Sequence, residues 1–223
     1  ACMDEASIEK AGTKPIDPFF KQIAAIKTVD DLQKQIASMH DAGLPVVFGF
    51  GAGPDLKDSN IVILNAFQGG LTLPNRDYYL NTDAKSQETR QKFLTHMTNM
   101  FKLLGDSPDA AAQNAATVME LQTRLAKASL SQVELRNPDN RYNKISFTAA
   151  QSLTPDFSWA SYISARSVPE EAAINIAPPK FFAEMNTMIK GVSINDWKTY
   201  LRWTTINTAA PMLGKAFADE NFD

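Results

Sequence analysis

The chain has 223 residues, 44% hydrophobic and 21% charged, with 22 basic against 25 acidic side chains and a net charge of -3. That usage is ordinary for a globular protein and excludes intrinsic disorder; a pI near 5.5 and the lack of any Lys/Arg run leave no electrostatic footprint for nucleic acid. The chain offers no membrane span, and its one cysteine, Cys2, has no internal disulfide partner, so cysteine usage does not fix the redox compartment.

In chain order, Thr28 and Asp31 make a capping-box pattern ahead of Val29, Leu32, Ile36 and Met39, which predicts a helix over residues 28–42 stopped by Gly43 and Pro45. The β-branched and aromatic runs at 46–50 and 61–67 predict the only strands, one hairpin over about 46–67 with Gly49, Gly51 and Gly53 at its turn. Residues 86–104 then place Phe93, Met97, Met100, Phe101 and Leu104 on one helical face before Gly105. Ser107-Pro108 opens an alanine-rich helix through Val118, Leu121 and Leu125, and the short connection predicts that these two helices pair antiparallel.

Between 131 and 165, Asn137-Pro138 forbids a continuous helix. Thr148 and Asp156 offer caps to short pieces anchored by Phe147, Leu153, Phe157, Trp159, Tyr162 and Ile163. Pro178-Pro179 starts a helix carrying Phe181, Phe182, Met185, Met188 and Ile189 to Gly191; Ser193 with Asp196 then caps the last one, through Trp197, Leu201 and Thr204 to Pro211. With no repeat, low-complexity linker or charge run, the expected architecture is mainly α: a multi-helical bundle, orthogonal and antiparallel, in a single domain over 1–223 with one small β-hairpin inserted.

Candidate chemistry is sparse. The Gly49, Gly51, Gly53 run lacks the following helix that a phosphate loop needs, because Pro54, Asp55 and a second strand come next. The two histidines, His40 and His96, stand 56 residues apart and without the i, i+4 spacing of a helix-borne zinc pair; they read as exposed or capping, or as paired with carboxylates across helices. Glu120, Glu134, Asp139 and Asp156 have no spacing that specifies an acid-base pair, and neither a Gly-x-Ser-x-Gly elbow nor a histidine near Cys2 supports nucleophilic catalysis. Catalytic, cofactor-binding and metal-binding residues are therefore all expected to be none. Arg76-Asp77-Tyr78 and Arg141-Tyr142-Asn143 read as buried polar junctions or as substrate contacts, and the face of Phe93, Met97, Met100 and Phe101 as core or as a peptide groove.

Three segments carry a resemblance: the opening Ala1-Cys2-Met3-Asp4-Glu5-Ala6-Ser7-Ile8-Glu9-Lys10-Ala11-Gly12, the run Gly70-Leu71-Thr72-Leu73-Pro74-Asn75-Arg76-Asp77-Tyr78-Tyr79-Leu80, and Asn137-Pro138-Asp139-Asn140-Arg141-Tyr142-Asn143. In that order, and with Tyr200-Leu201-Arg202-Trp203, Ala209-Ala210-Pro211 and Phe217-Ala218-Asp219-Glu220-Asn221-Phe222 near the close, the chain resembles the neprilysin and endothelin-converting-enzyme family of zinc metallopeptidases, in its bacterial branch. The resemblance implies a fragment of the non-catalytic helical domain, which encloses the active-site cavity and restricts substrates to small peptides. Its partners would be the catalytic domain of the same polypeptide and small peptides, and its location the periplasm or cell surface. The family holds zinc with an HExxH helix and a downstream glutamate; no HExxH occurs here, so no zinc is expected in this chain although zinc is implied for the full-length enzyme. Asn65-Ala66-Phe67 imitates the family's Asn-Ala-aromatic peptide-binding motif, but with no zinc helix after it the segment reads as part of a structural strand. A first residue other than Met leads to the expectation that a leader or upstream segment has been removed. The alternative reading is a stand-alone helical module that binds peptides or proteins, or an inactive protease remnant.

Overall fold

A computed structural model describes residues 4–167 and 173–222; Cys2 lies outside them. In chain order the elements are α1 (Glu5–Ala11), α2 (Asp17–Ala25), α3 (Val29–Asp41), β1 (Phe48–Asp55), β2 (Asp58–Gln68), α4 (Asp77–Leu80), α5 (Ala84–Leu103), α6 (Pro108–Ala128), β3 (Lys144–Ser146), α7 (Phe147–Leu153), α8 (Trp159–Ala165), β4 (Ala173–Ala177), α9 (Pro179–Gly191), α10 (Ile194–Ala209) and α11 (Lys215–Phe222). Short 3-10 turns at Lys14–Ile16, Glu134–Arg136, Pro138–Arg141 and Ala210–Met212 join some of them. The chain is mainly helical, as expected, and no helix among the described residues is long and apolar enough to cross a membrane.

The long helices end where local chemistry ends them. Thr28 Oγ1 accepts from Asp31 N at 3.1 Å while the Asp31 carboxylate accepts from Thr28 N at 3.1 Å, a complete capping box. Gly43, at φ 78°, and Gly105, at φ 94°, close α3 and α5 in the left-handed conformation that costs glycine little. Beyond each, Leu44 N donates to Met39 O and Asp106 N to Phe101 O, the six-to-one bond of a Schellman turn. Further along, the caps differ from those expected: Ser146 and Ser158, each two residues from the Thr148 and Asp156 marked in the sequence, start α7 and α8.

No linker interrupts the sequence, yet the chain forms two compact units, both assembled from discontinuous segments. One comprises residues 1–26, 82–121 and 194–223. Its core gathers around Trp203, fully buried on α10, with Phe93 and Phe101 of α5 at ring distances of 5.8 and 6.2 Å. Thus the Phe93, Met97, Met100, Phe101 face is core, and α5 packs on α11 and α10 more extensively than on α6. Pro211 ends α10, as its missing N–H and fixed φ require, and the chain turns into α11.

The other unit, residues 27–81 and 122–193, holds a four-stranded sheet in the order β1-β2-β4-β3. The hairpin β1-β2 is therefore half of the sheet rather than all of it: β4 adds parallel to β2, and β3 antiparallel to β4. Strands of three and five residues carry too little alternation to be seen in sequence, and their pairing is wholly non-local. One face, with Phe48, Leu64, Ala66, Ile174 and Ile176, is buried. Phe48 sits among Phe157, Trp159, Tyr162 and Phe182 with ring centroids 5.5–5.8 Å away.

Candidate functional site: a cleft on the outer face of the sheet

Side chains alternate across a strand, so the register sets which residues share the opposite face. There Gly51, Asn65, Asn175 and Lys144 stand in one row across all four strands, and Gly49, Phe67 and Ala177 in the next. Gly49, Gly51 and Gly53 consequently lie along β1 and not at the hairpin turn, which is formed by Leu56 and Lys57. A Cβ on Gly49 would fall 2.0 Å from the Phe67 ring, so the absent side chain lets that ring lie on the backbone. Phe67 remains 51% exposed there.

An amide ladder braces this face. Asn175, 5% exposed, donates through Nδ2 to Asn65 Oδ1 and to Arg141 O, each at 2.9 Å, and accepts at Oδ1 from Asn143 N at 2.6 Å. Asn143 Nδ2 in turn donates to Ile176 O at 3.0 Å. Because β2 is flanked by β1 and β4, the backbone of Asn65-Ala66-Phe67 is committed to the sheet and offers no edge to an extended peptide, consistent with its reading as structural.

The 70–80 run forms the adjoining wall. Its anchor is Tyr79, 4% exposed, whose hydroxyl donates to Gln122 Oε1 at 2.7 Å and accepts from Thr72 N and Leu73 N at 3.1 and 2.9 Å. The tyrosine thereby ties the start of the loop to its end and to α6. Arg76 approaches Glu134 at 3.9 Å, the carboxylate reach expected for a polar junction. Beyond the hairpin turn, Asp55 accepts from Lys144 Nζ at 2.7 Å and from Lys57 N at 2.9 Å; these bonds hold its carboxyl down at about 2.

Together the strands, the 70–80 loop and the 137–143 segment border a cleft of about 690 Å³. Segments singled out separately in the sequence, Gly51 with Asn65 and Phe67, Leu73 to Arg76, and Asn140 with Arg141, all line it. Sequence reading missed Asn175 and Gln122, isolated amides whose only signal is partners that folding brings near; Asn143 belongs to the Arg141-Tyr142-Asn143 junction that it marks.

The remaining candidates do not converge. His96 Nδ1 lies 3.1 Å from Glu220, the carboxylate pairing across helices. His40 departs from an exposed or capping role: its ring packs edge-on to Phe48 at 5.0 Å, with Nδ1 2.6 Å from the Tyr162 hydroxyl and Nε2 2.7 Å from Val46 O. Glu134 accepts from Ser131 N and Oγ, Asp156 from Asn186 Nδ2, and Glu120 and Asp139 are exposed. Among the described residues no group of three or more His, Cys, Asp or Glu side chains is placed to hold a metal ion, so the donor set does not fit zinc. Lined by amides, apolar groups and two arginines, the cleft can bind and orient; it presents no acid-base pair or activated nucleophile.

Comparisons with known proteins agree with the resemblance. The chain is 27% identical over 98% of its length to an endothelin-converting enzyme homolog of Locusta migratoria, of which it covers 33%, and 26% identical over its full length to endothelin-converting enzyme 1 of Rattus norvegicus, of which it covers 31%. Its fold superposes with a TM-score of 0.93 and 27% identity on the inhibitor-bound zinc metalloprotease ZMP1 of Mycobacterium tuberculosis, over 99% of this chain and 34% of that one. The chain thus spans about a third of the length of these relatives. Peptidase family M13 matches residues 1–223, and by that match over its whole length the chain belongs to peptidase family M13.

Proposed function

We propose that this chain is the non-catalytic helical portion of a neprilysin-like zinc metalloendopeptidase. It walls the cavity over an active site carried elsewhere in the polypeptide and so admits only small peptides. The observation that carries the reading is the full-length family match in a chain that spans a third of its relatives, one of them a zinc metalloprotease by name. On this reading zinc and the HExxH glutamate that activates water belong to the catalytic domain, and the present residues contribute enclosure and peptide contact, not a reacting group. The location that goes with it is the periplasm or cell surface.

The test is a length series of peptides sharing one cleavage sequence, assayed on the longer polypeptide that carries this chain. Zinc-dependent cleavage should fall steeply with peptide length. Cleavage that ignores length would overturn the enclosing role, and turnover by residues 1–223 alone would overturn the non-catalytic one. The cleft on the outer sheet face also suits a stand-alone binding module; that reading takes over if the longer polypeptide shows no peptidase activity.

A further inference from the structure

The outer cleft carries charge of one sign. Arg76 and Arg141 are the ionisable side chains among its lining residues. Arg141 is exposed and makes no ion pair among the described residues. The nearest carboxylate to Arg76, on Glu134, stands 3.9 Å off and already accepts from Ser131 N and Oγ, both at 2.7 Å. Neither guanidinium therefore has the two-bond carboxylate partner its planar fork favours. On the hairpin side the same cleft exposes two large apolar groups, Phe67 at 51% and Leu56 at 52%, the former backed by Gly49.

A cleft of about 690 Å³ is larger than a single small anion needs, and apolar surface beside one unpaired and one only loosely paired guanidinium calls for a ligand that has both characters. We infer that it takes an acidic peptide segment, with side-chain carboxylates on Arg76 and Arg141 and an aromatic or large apolar side chain on Phe67 and Leu56. The two arginines stand on separate segments, before α4 and at the end of the Pro138–Arg141 turn, which suits carboxylates spaced along a chain better than one terminal group. The inference rests on the reading of this chain as a wall that meets peptides, and it names which peptides that wall favours.

Fluorescence polarisation tests it with three dye-labelled octapeptides: one capped at both ends with two Glu flanking a Phe, its Gln counterpart, and the Gln peptide with a free C-terminal carboxylate. The capped Glu peptide should bind about tenfold or more tightly than either Gln peptide, and Arg141→Gln or Arg76→Gln should each weaken it by about tenfold, the loss of a charge-assisted pair. Arg141→Gln is the safer variant because the side chain is exposed, and an unchanged melting temperature certifies its fold. Equal binding of the capped Glu and Gln peptides, or indifference to both arginine variants, overturns the inference. So does equal binding of the free-carboxylate peptide, which assigns the site to chain termini. Binding by this chain that vanishes in the longer polypeptide also overturns it, because the cleft is then covered by the rest of the protein. Length-limited peptidase activity without acid preference sinks this inference alone; acid-selective binding without peptidase activity sinks the enzyme reading alone.

Discussion

His40 and Tyr162 meet at 2.6 Å, ring nitrogen to hydroxyl, across 122 residues of chain. A carbonyl only accepts, so the nitrogen facing Val46 O carries the proton, and Nδ1 accepts from the Tyr162 hydroxyl, which itself accepts from Arg166 Nη1 at 2.9 Å. The same Val46 carbonyl receives Phe48 N and closes a tight three-residue turn around Val47 at φ 58°, a strained position for a β-branched residue. Burial, with the Arg166 charge adding to it and Asp41 opposing, lowers the imidazole to about 4. A base weakened by folding binds fewer protons in the native state. Its contribution is therefore complete above about 6.5 and is lost progressively as pH falls to about 4, amounting to about 3 kcal/mol. Urea midpoints at pH 7 and 4.5 should show this slope in the wild type and lose most of it in His40→Gln; an equal slope in both would refute the assignment.

Tyr79→Phe removes a hydroxyl that serves two backbone donors and one amide acceptor. Leu73 N loses this acceptor while Thr72 N keeps Gln122 Oε1 at 3.4 Å, so the expected cost is about 1–2 kcal/mol in chemical denaturation, with faster amide exchange at Leu73. A loss below half a kcal/mol or so would mean that water replaces the hydroxyl.

Gly49→Ala sets a methyl against the Phe67 ring, which is half-exposed and free to swing outward. The expected cost is about 1 kcal/mol, and it should disappear in a Phe67→Ala background. Additive losses in the double-mutant cycle would show that the clash is with backbone.

Asp55→Asn leaves Lys144 without its carboxylate and weakens the hairpin end, where Lys57 lies over the Tyr142 ring at 4.6 Å. A carboxyl depressed to about 2 stabilises the fold above its ordinary value of 3.8, and that contribution fades as pH falls through about 2. Hydrogen exchange across β1 and β3 at neutral pH should quicken in Asp55→Asn, and by pH 2 the gap to wild type should narrow; an unchanged gap argues against the ion pair.

What the sequence discloses here is what is local. The capping box at Thr28 and Asp31, the glycine stops at Gly43 and Gly105, and the apolar spacing of α5 and α9 all lie within a few residues of the structure they specify. The outer half of the sheet does not, because β4 joins β2 from 110 residues away and β3 is three residues long. The alternating glycines read as a turn because nothing near them in the sequence shows that the Phe67 ring occupies the space over Gly49. His40 looked exposed because its partner Tyr162 is remote in sequence. Likewise the pieces of the cleft were visible one by one, while their meeting depends on strand register.

The interleaving of the two units has a consequence for biosynthesis. The unit built on the sheet is complete once Ser193 has left the ribosome, whereas the other already has its first two segments made and still lacks its third. Until Trp203 and Phe217 emerge, the apolar face of α5 lacks the cover that α10 and α11 give it, so Phe93 and Phe101 wait for Trp203 through the translation of the whole intervening stretch. The earlier-started unit is the later to finish, and a ribosome stalled before α10 displays an unfinished unit along with a finished one.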